Sequence, residues 1–454
     1  MLYFLGIGGI GMSALAKYFK AKGYEVAGYD RTQSPLTLHL ENEGMEIHYV
    51  DDPNLVPENI ELVVVTPAIP DNSLELNYLR EKNVKIIKRS EVLGMLSRKH
   101  KTLAVSGTHG KTTTTALVTH ILMTAKKRLS AFIGGIARNI DSNVVIGEDK
   151  DEFVVMEADE FDRSFLRLSP YISVVTSIDA DHLDIYGDYQ HLVEGFNEFV
   201  SKTDDDGLVI YHEKLPIETE KKHITYGLEN ADVMAENIRI IEGETCFSVK
   251  IDEKKLVESH KDLCGLRALR EIKMSLYGDH NVQNALAAII MCSCLGVNED
   301  DIKKGMATFK GVQRRFDIRV NDGRHVYIDD YAHHPEEIKA ALLSARKAFP
   351  DKELTVVFQP HLYSRTRDFM AGFAESLSLA DRVILLDIYP AREQPMKGVT
   401  STVLLEKITS KNKMLSSKED LLKTIKDNDP ELVMTVGAGD IDRFVPQIEM
   451  MFKK

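Results

Sequence analysis

Ser106-Gly107-Thr108-His109-Gly110-Lys111-Thr112-Thr113 follows directly on the apolar run Leu103-Ala104-Val105. The run predicts a strand, and Ala116-Leu117-Val118 with Ile121-Leu122 predicts the helix after it. Backbone N–H groups in a glycine-rich turn, together with a helix N-terminus, cradle an anion. Lys111 is placed to reach β- and γ-phosphate oxygens, and Thr112 to put a hydroxyl on Mg²⁺. The stretch therefore predicts a nucleoside triphosphate site built from Gly107, Thr108, His109, Gly110, Lys111, Thr112 and Thr113. The common phosphate-loop spacing wants glycine at position 105, where Val105 stands, so the loop is a shortened form.

The rest of the composition narrows the class. At 454 residues, with 43% apolar residues, the chain has room for two to four domains with cores of their own. A net charge of −13 argues against nucleic acid as a partner, so anionic ligands must be held by local basic groups. No apolar run reaches the ~20 residues that span a bilayer. Met1-Leu2-Tyr3-Phe4-Leu5 lacks a basic leader and reads as a first strand. Cys246, Cys264, Cys292 and Cys294 show no metal-ligand spacing and read as reduced structural thiols of a cytoplasmic protein.

Three α/β segments suggest themselves, 1–98, 99–310 and 311–454. In the first, Leu2–Gly6, Glu25–Asp30, Leu62–Thr66 and Val84–Lys88 alternate with helical stretches, a pattern that implies a parallel sheet. The second opens with the phosphate loop and continues through Phe153–Glu157 and Ile172–Ser177. Its short strands around 205–260, such as Gly207–Tyr211 and Cys246–Val249, read as antiparallel strands appended to an α/β core. The third alternates again through Val326–Asp330, Leu354–Phe358, Val383–Asp387 and Leu432–Val436.

Further motifs sit at strand ends. Gly6-Ile7-Gly8-Gly9-Ile10-Gly11 lies between a strand and a helix, and Asp30 ends the next strand, a fingerprint for a nucleotide diphosphate held by Gly8, Gly9, Ile10 and Gly11. Taken alone it also fits NAD. Glu157-Ala158-Asp159-Glu160 puts carboxylates near the phosphate loop, where Mg²⁺ is held. Asp181-His182-Leu183-Asp184 offers His182 as a metal ligand or base. Asp329-Asp330-Tyr331-Ala332-His333-His334-Pro335 precedes a helix, and Arg365 follows Phe358-Gln359-Pro360-His361-Leu362, where an arginine fork can clamp a carboxylate. Arg314-Arg315 opens the third segment and offers charge to phosphates.

As a set, these motifs, with Gly278-Asp279-His280-Asn281-Val282-Gln283-Asn284-Ala285, resemble the ATP-dependent Mur ligases of bacterial cell-wall synthesis. The match runs from residue 2 to about 440, and the short phosphate loop is itself the family's form. The resemblance implies a Rossmann-like N-terminal UDP-binding domain, a central ATPase domain with appended antiparallel strands, and a C-terminal Rossmann-like domain. It implies UDP at Gly8–Gly11 with Asp30 near the uridine, and ATP phosphates on Lys111. It implies two Mg²⁺ ions on Thr112, Glu157 and His182, with adenine near Asn281 and Asn284. Arg314 and Asp330 then meet the nucleotide, and Tyr331, His333 and Arg365 receive the amino acid, with Lys111, Glu157, His182, His333 and Arg365 serving the chemistry.

Two departures refine it. Where several sister ligases carry a carbamylated lysine that bridges the metals, this chain reads Gly195-Phe196-Asn197-Glu198. Where some members have a second arginine after the histidine of Phe-Gln-Pro-His, it has Leu362. The first departure points within the family to a cytoplasmic ligase joining L-alanine to the lactyl carboxylate of UDP-N-acetylmuramate. The alternatives are a recycling ligase that attaches an L-Ala-γ-D-Glu-diamino-acid tripeptide, an NAD-dependent dehydrogenase, and a non-catalytic nucleotide-binding regulator. Oligomeric state stays open between monomer and homodimer.

Overall fold

The computed structural model describes residues 1–148, 151–179, 183–252, 266–391 and 393–453. They divide into two compact units: Met1–Asn237 with Phe247–Ile272 and Gln283–Phe309, and Ile238–Cys246 with Lys273–Val282 and Lys310–Lys454.

Leu2–Leu5 is buried along its whole length and takes the middle of a five-stranded sheet. The order is Glu46–His48, Val26–Tyr29, Leu2–Leu5, Leu62–Val65, Ile86–Lys88, all parallel. Parallel neighbours need crossovers, supplied here by the helices Ile10–Ala21, Pro35–Asn42 and Leu74–Glu81. The second of these starts where Ser34 Oγ accepts from the Thr37 N–H at 3.2 Å and Pro35 fills the first turn.

A ten-stranded sheet carries the phosphate loop. Its order is Leu269–Met274, Glu244–Ile251, Val233–Ile241, His223–Gly227, Leu208–His212, Ile172–Val175, Lys101–Ser106, Phe153–Glu157, Leu129–Ala137, Ser142–Val145. Lys101–Ser106 runs parallel to both of its neighbours. Contrary to the pattern read from the sequence, Leu208–His212 is not antiparallel; it pairs parallel with Ile172–Val175, and His223–Gly227 pairs parallel with it in turn. The helix Tyr189–Ser201 supplies the crossover that makes this direction possible. Antiparallel pairing does occur between Leu129–Ala137 and Ser142–Val145. The neighbouring strands Val233–Ile241 and Glu244–Ile251 are joined by Glu242-Gly243, both at positive φ (51° and 79°), the two-residue connection of a hairpin.

The two sheets share one core. Ala14 and Leu15 of the first helix lie in a buried cluster with Phe132, Val144 and Val154, and the Tyr18 ring stands 5.4 Å from Phe132. Asn143, fully buried, donates its amide to Ile10 O at 2.6 Å and Ser13 Oγ at 2.9 Å. The helix that follows the glycine turn is thus fastened to the phosphate-loop sheet.

The second unit holds a six-stranded sheet, Asp317–Asn321, Val326–Asp330, Leu432–Val436, Leu354–Phe358, Arg382–Leu385, Asn412–Leu415. Only the first strand is antiparallel to its neighbour. Ile338, Leu342 and Phe373 pack on one face with Val356 and Phe358; Leu421, Ile425 and Ile448 pack on the other with Tyr327 and Val357. Helices on both faces of a parallel sheet make a doubly wound layer, whose ligand-binding edge is the carboxyl end of the strands. No helix of the described residues is long and apolar enough to cross a membrane.

Candidate active site

The glycine turn leaves the central strand of the first sheet. Gly6 sits at φ 84°, its N–H bonded to Tyr29 O at 2.8 Å, and the helix begins at Ile10 with Gly9 as an N-cap that brings no side-chain bond. The first N–H groups of that helix are therefore open to an anion. Asp30 braces the turn: its carboxylate accepts from the Gly8 N–H at 2.9 Å and the Thr32 N–H at 3.1 Å. The Thr66 methyl lies against Gly6, and a cleft of about 670 Å³ opens along Thr66, Ile69, Arg80, Ile86 and Lys88. At Gly11 the Arg89 guanidinium stands where a Cβ would be. Arg89 in turn donates to Asp159 at 3.3 Å. Sequence reasoning missed Thr66 and Arg89, although each is the first residue beyond a parallel strand.

The phosphate loop closes on a neighbouring strand end. Ser177 O accepts from the Thr108 N–H at 3.1 Å, and Ser177 Oγ accepts from the His109 N–H at 2.7 Å. His109 also lies 3.3 Å from Asp179. Gly107 is at φ 134°, with the Thr176 hydroxyl where a Cβ would stand; Gly110 is at φ 83° and caps the helix Lys111–Thr124, with the Asn284 amide against it. Both positions demand glycine, by dihedral and by space. Thr112 and Thr113 are buried in the first turn.

Lys111 Nζ donates to Gly107 O at 2.6 Å and lies 2.9 and 2.8 Å from the two carboxylate oxygens of Glu160. Burial works against the ammonium, but Glu160, Asp159 and Glu157 outweigh it and hold its pKa above the ordinary lysine value. Glu157 accepts from the Gly134 N–H at 2.9 Å. Thr112 and Glu157 offer hydroxyl and carboxylate oxygens, donors that suit a hard divalent cation, so these residues fit Mg²⁺ in chemistry. Among the described residues no group of three or more His, Cys, Asp or Glu converges as a metal site. His182, named as a ligand from the sequence, and Cys264 lie outside the described residues.

In the second unit, the motifs at the ends of Val326–Asp330 and Leu354–Phe358 come together. The Tyr331 ring is flanked by Arg314 at 5.0 Å and Arg315 at 5.1 Å, and it meets His333 edge-on at 5.2 Å. Arg314 is engaged by Gly437 O at 2.5 Å, Asp442 at 3.3 Å and Asp329 at 3.5 Å. Asp330 accepts from the Phe316 and Ala332 N–H groups at 2.6 and 2.7 Å; burial pushes its pKa up to about 6, against the pull of Arg315. His333 and His361 stand 6.4 Å apart, and His361 stacks on Tyr389 at 5.6 Å. Burial first, and the Arg365 charge with it, lowers both imidazoles to about 4, so both are neutral near pH 7. His333 Nδ1 faces Tyr331 O at 3.0 Å; a carbonyl only accepts, so Nδ1 carries the proton and Nε2 is left as an acceptor. Asn281 is held in the first turn of its helix, its amide donating to Tyr277 O at 2.8 Å.

A glycine turn and a short phosphate loop in one packed unit, with an arginine–histidine–tyrosine cluster at the edge of a further doubly wound sheet, define an α/β enzyme that works on phosphorylated ligands. The chain belongs to the Mur ligase family: the catalytic-domain model of that family matches residues 1–101, its middle domain 105–292 and its glutamate ligase domain 314–439. It is 46% identical to the UDP-N-acetylmuramate–L-alanine ligase of Christiangramia forsetii, over 98% of this chain and 96% of that one. It is 45% identical to the enzyme of the same name from Phocaeicola vulgatus, over 98% and 97%. The crystal structure of UDP-N-acetylmuramate–alanine ligase from Thermotoga maritima matches 100% of this chain and 99% of that one, with a TM-score of 0.85 and 30% identity. A murein peptide ligase from Psychrobacter arcticus shares the fold, with a TM-score of 0.73 and 23% identity over 99% and 98%. These matches favour neither the recycling ligase nor a dehydrogenase.

Proposed function

We propose that this protein joins L-alanine to the lactyl carboxylate of UDP-N-acetylmuramate at the expense of ATP, a step of peptidoglycan precursor synthesis in the cytoplasm. The similarity to alanine ligases along the whole chain carries the reading. In it, the segments 1–98, 99–310 and 311–454 serve the UDP-sugar, ATP and the amino acid respectively.

The lactyl carboxylate attacks the γ-phosphorus of ATP, ADP departs, and an acyl phosphate forms. The alanine amine then attacks the acyl carbon, and phosphate leaves the tetrahedral intermediate. Two anions must meet in the first step, so the work of the site is positioning and charge neutralisation. The turn Gly8–Gly11, braced by Asp30, holds the diphosphate at the helix N-terminus. The N–H groups at the start of the helix Lys111–Thr124 hold the triphosphate, with Gly107–Gly110 shaping the loop before them, and Lys111 sets its charge against the developing negative charge on the γ-phosphoryl oxygens. Thr112 and Glu157, with His182, would hold Mg²⁺, whose charge would offset the repulsion between carboxylate and triphosphate. Asn281, Asn284, Arg314 and Asp330 belong with the nucleotide. Arg365 pairs with the alanine carboxylate, and Nε2 of neutral His333 accepts from the amino group beside Tyr331. Leu362 removes a second arginine from this pocket, so Arg365 bears the carboxylate beside Tyr331.

Phosphate release with UDP-N-acetylmuramate tests the reading. L-Alanine should support it, and L-Ala-γ-D-Glu-diamino acid should not; the reverse preference would replace this assignment by the recycling ligase.

A further inference from the structure

Asp159 and Glu160 are consecutive, yet they grip cations that belong to two different sites. Asp159 holds Arg89 at 3.3 Å, and the Arg89 guanidinium fills the space over Gly11 of the glycine turn. Glu160, only 1% exposed, holds Lys111 of the phosphate loop at 2.8 Å. Tyr186 donates its hydroxyl to the Glu160 backbone carbonyl at 2.8 Å. Both sites lie in one packed unit, with Asn143 fastening the turn's helix to the phosphate-loop sheet. Neither Asp159 nor Arg89 takes part in the ligation steps themselves.

We propose that Asp159 is a positioning residue that couples the two sites, so that filling the glycine-turn site raises the affinity of the phosphate-loop site for a divalent cation. The inference rests on the proposed function for the identity of the two ligands. A diphosphate at the turn adds negative charge beside Arg89 and draws the guanidinium toward itself, since phosphate takes an arginine fork bidentately. Asp159 then loses its counter-charge. Its field falls on Lys111 and on the neighbouring Glu157, where the cation binds, and in a partly buried site such a field is weakly screened. By linkage the effect is reciprocal: a cation at Glu157 strengthens UDP-sugar binding by the same factor. A coupling of about tenfold is within the range of such two-site systems.

The experiment is calorimetric binding of a non-hydrolysable ATP analogue to the full chain across a Mg²⁺ series, with and without saturating UDP-N-acetylmuramate. In the wild type the sugar nucleotide should lower the Mg²⁺ midpoint by about tenfold. Asp159→Asn should bind both ligands with the midpoint no longer moved. Arg89→Gln should weaken the sugar nucleotide and, at saturation, likewise leave the midpoint in place. An unmoved wild-type midpoint with both ligands bound, or the full shift surviving in Asp159→Asn, overturns the coupling and leaves the proposed function standing. Failure of the wild type to bind the sugar nucleotide or the ATP analogue overturns that function, and the coupling with it.

Discussion

The Lys111 ammonium lies 2.9 and 2.8 Å from the two carboxylate oxygens of Glu160, which is buried, while the lysine side chain is mostly so. Breaking such a pair from one side strands a charge away from water, at a cost of about 3–5 kcal/mol. Lys111→Met should therefore lower stability by roughly 3 kcal/mol as well as remove ligation. Adding Glu160→Gln should recover most of the stability, since the stranded carboxylate is gone, while turnover stays down by about a thousandfold. Chemical unfolding and phosphate release on both variants separate the two losses. Near-normal turnover in the double variant would remove Lys111 from the catalytic role.

Glu157 ends its strand and accepts from the Gly134 N–H at 2.9 Å, making no part of the Lys111–Glu160 ion pair. Its replacement should spare the fold and touch the cation. Glu157→Ala should raise the Mg²⁺ concentration for half-maximal turnover by roughly tenfold or more. An unchanged Mg²⁺ titration would show that the carboxylate does not hold the ion.

The sequence made legible what is local. An apolar run before Gly107 and Gly110, and a helix after Lys111, are signals that lie within twenty residues of each other, and the strand, loop and helix stand where they predict. The strand ends carrying Glu157, Asp330 and Gly6 were equally readable. The direction of Leu208–His212 was not, because apolar patterning sets which face is buried and says nothing about which way a neighbour runs. Nor was Arg89, which reaches Gly11 and Asp159 across long stretches of chain, or the grip of Glu160 on Lys111. Long-range charge pairs leave no period in a sequence; the only hint was that parallel sheets gather their strand ends along one edge.

The neutral His333 makes the stability of its domain respond to acid. Its folded pKa, about 4, lies below the unfolded value of about 6.5, so between these limits the unfolded chain takes up a proton that the folded one refuses. Stability is then full above pH 6.5 and falls as the pH drops toward 4. Asp329 and Asp330, raised to about 6 by burial, act with the opposite sign over nearly the same range and are common to both proteins compared. His333→Gln removes only the histidine contribution. Relative to the wild type, the variant should gain about 1–2 kcal/mol on going from pH 7 to pH 5. Thermal midpoints of both proteins at the two pH values test this, and a difference that does not change with pH contradicts a neutral His333.

At Gly11 two effects point in opposite directions, and their separation tests the glycine turn. The residue lies in the first turn of the helix Ile10–Ala21, and its φ is not positive. Alanine is about 1 kcal/mol the better helix former there. The added Cβ meets only the tip of Arg89, a flexible side chain that can swing aside. The fold should accordingly tolerate Gly11→Ala with an unchanged or slightly higher thermal midpoint. The methyl group crowds the place where the diphosphate approaches the backbone and pushes the guanidinium from its position over the turn, so the KM for UDP-N-acetylmuramate should rise about tenfold, equivalent to about 1.4 kcal/mol of lost binding. An unchanged KM would mean that the diphosphate does not approach the turn at Gly11. A fall in the midpoint with KM unmoved would make the glycine a packing requirement alone.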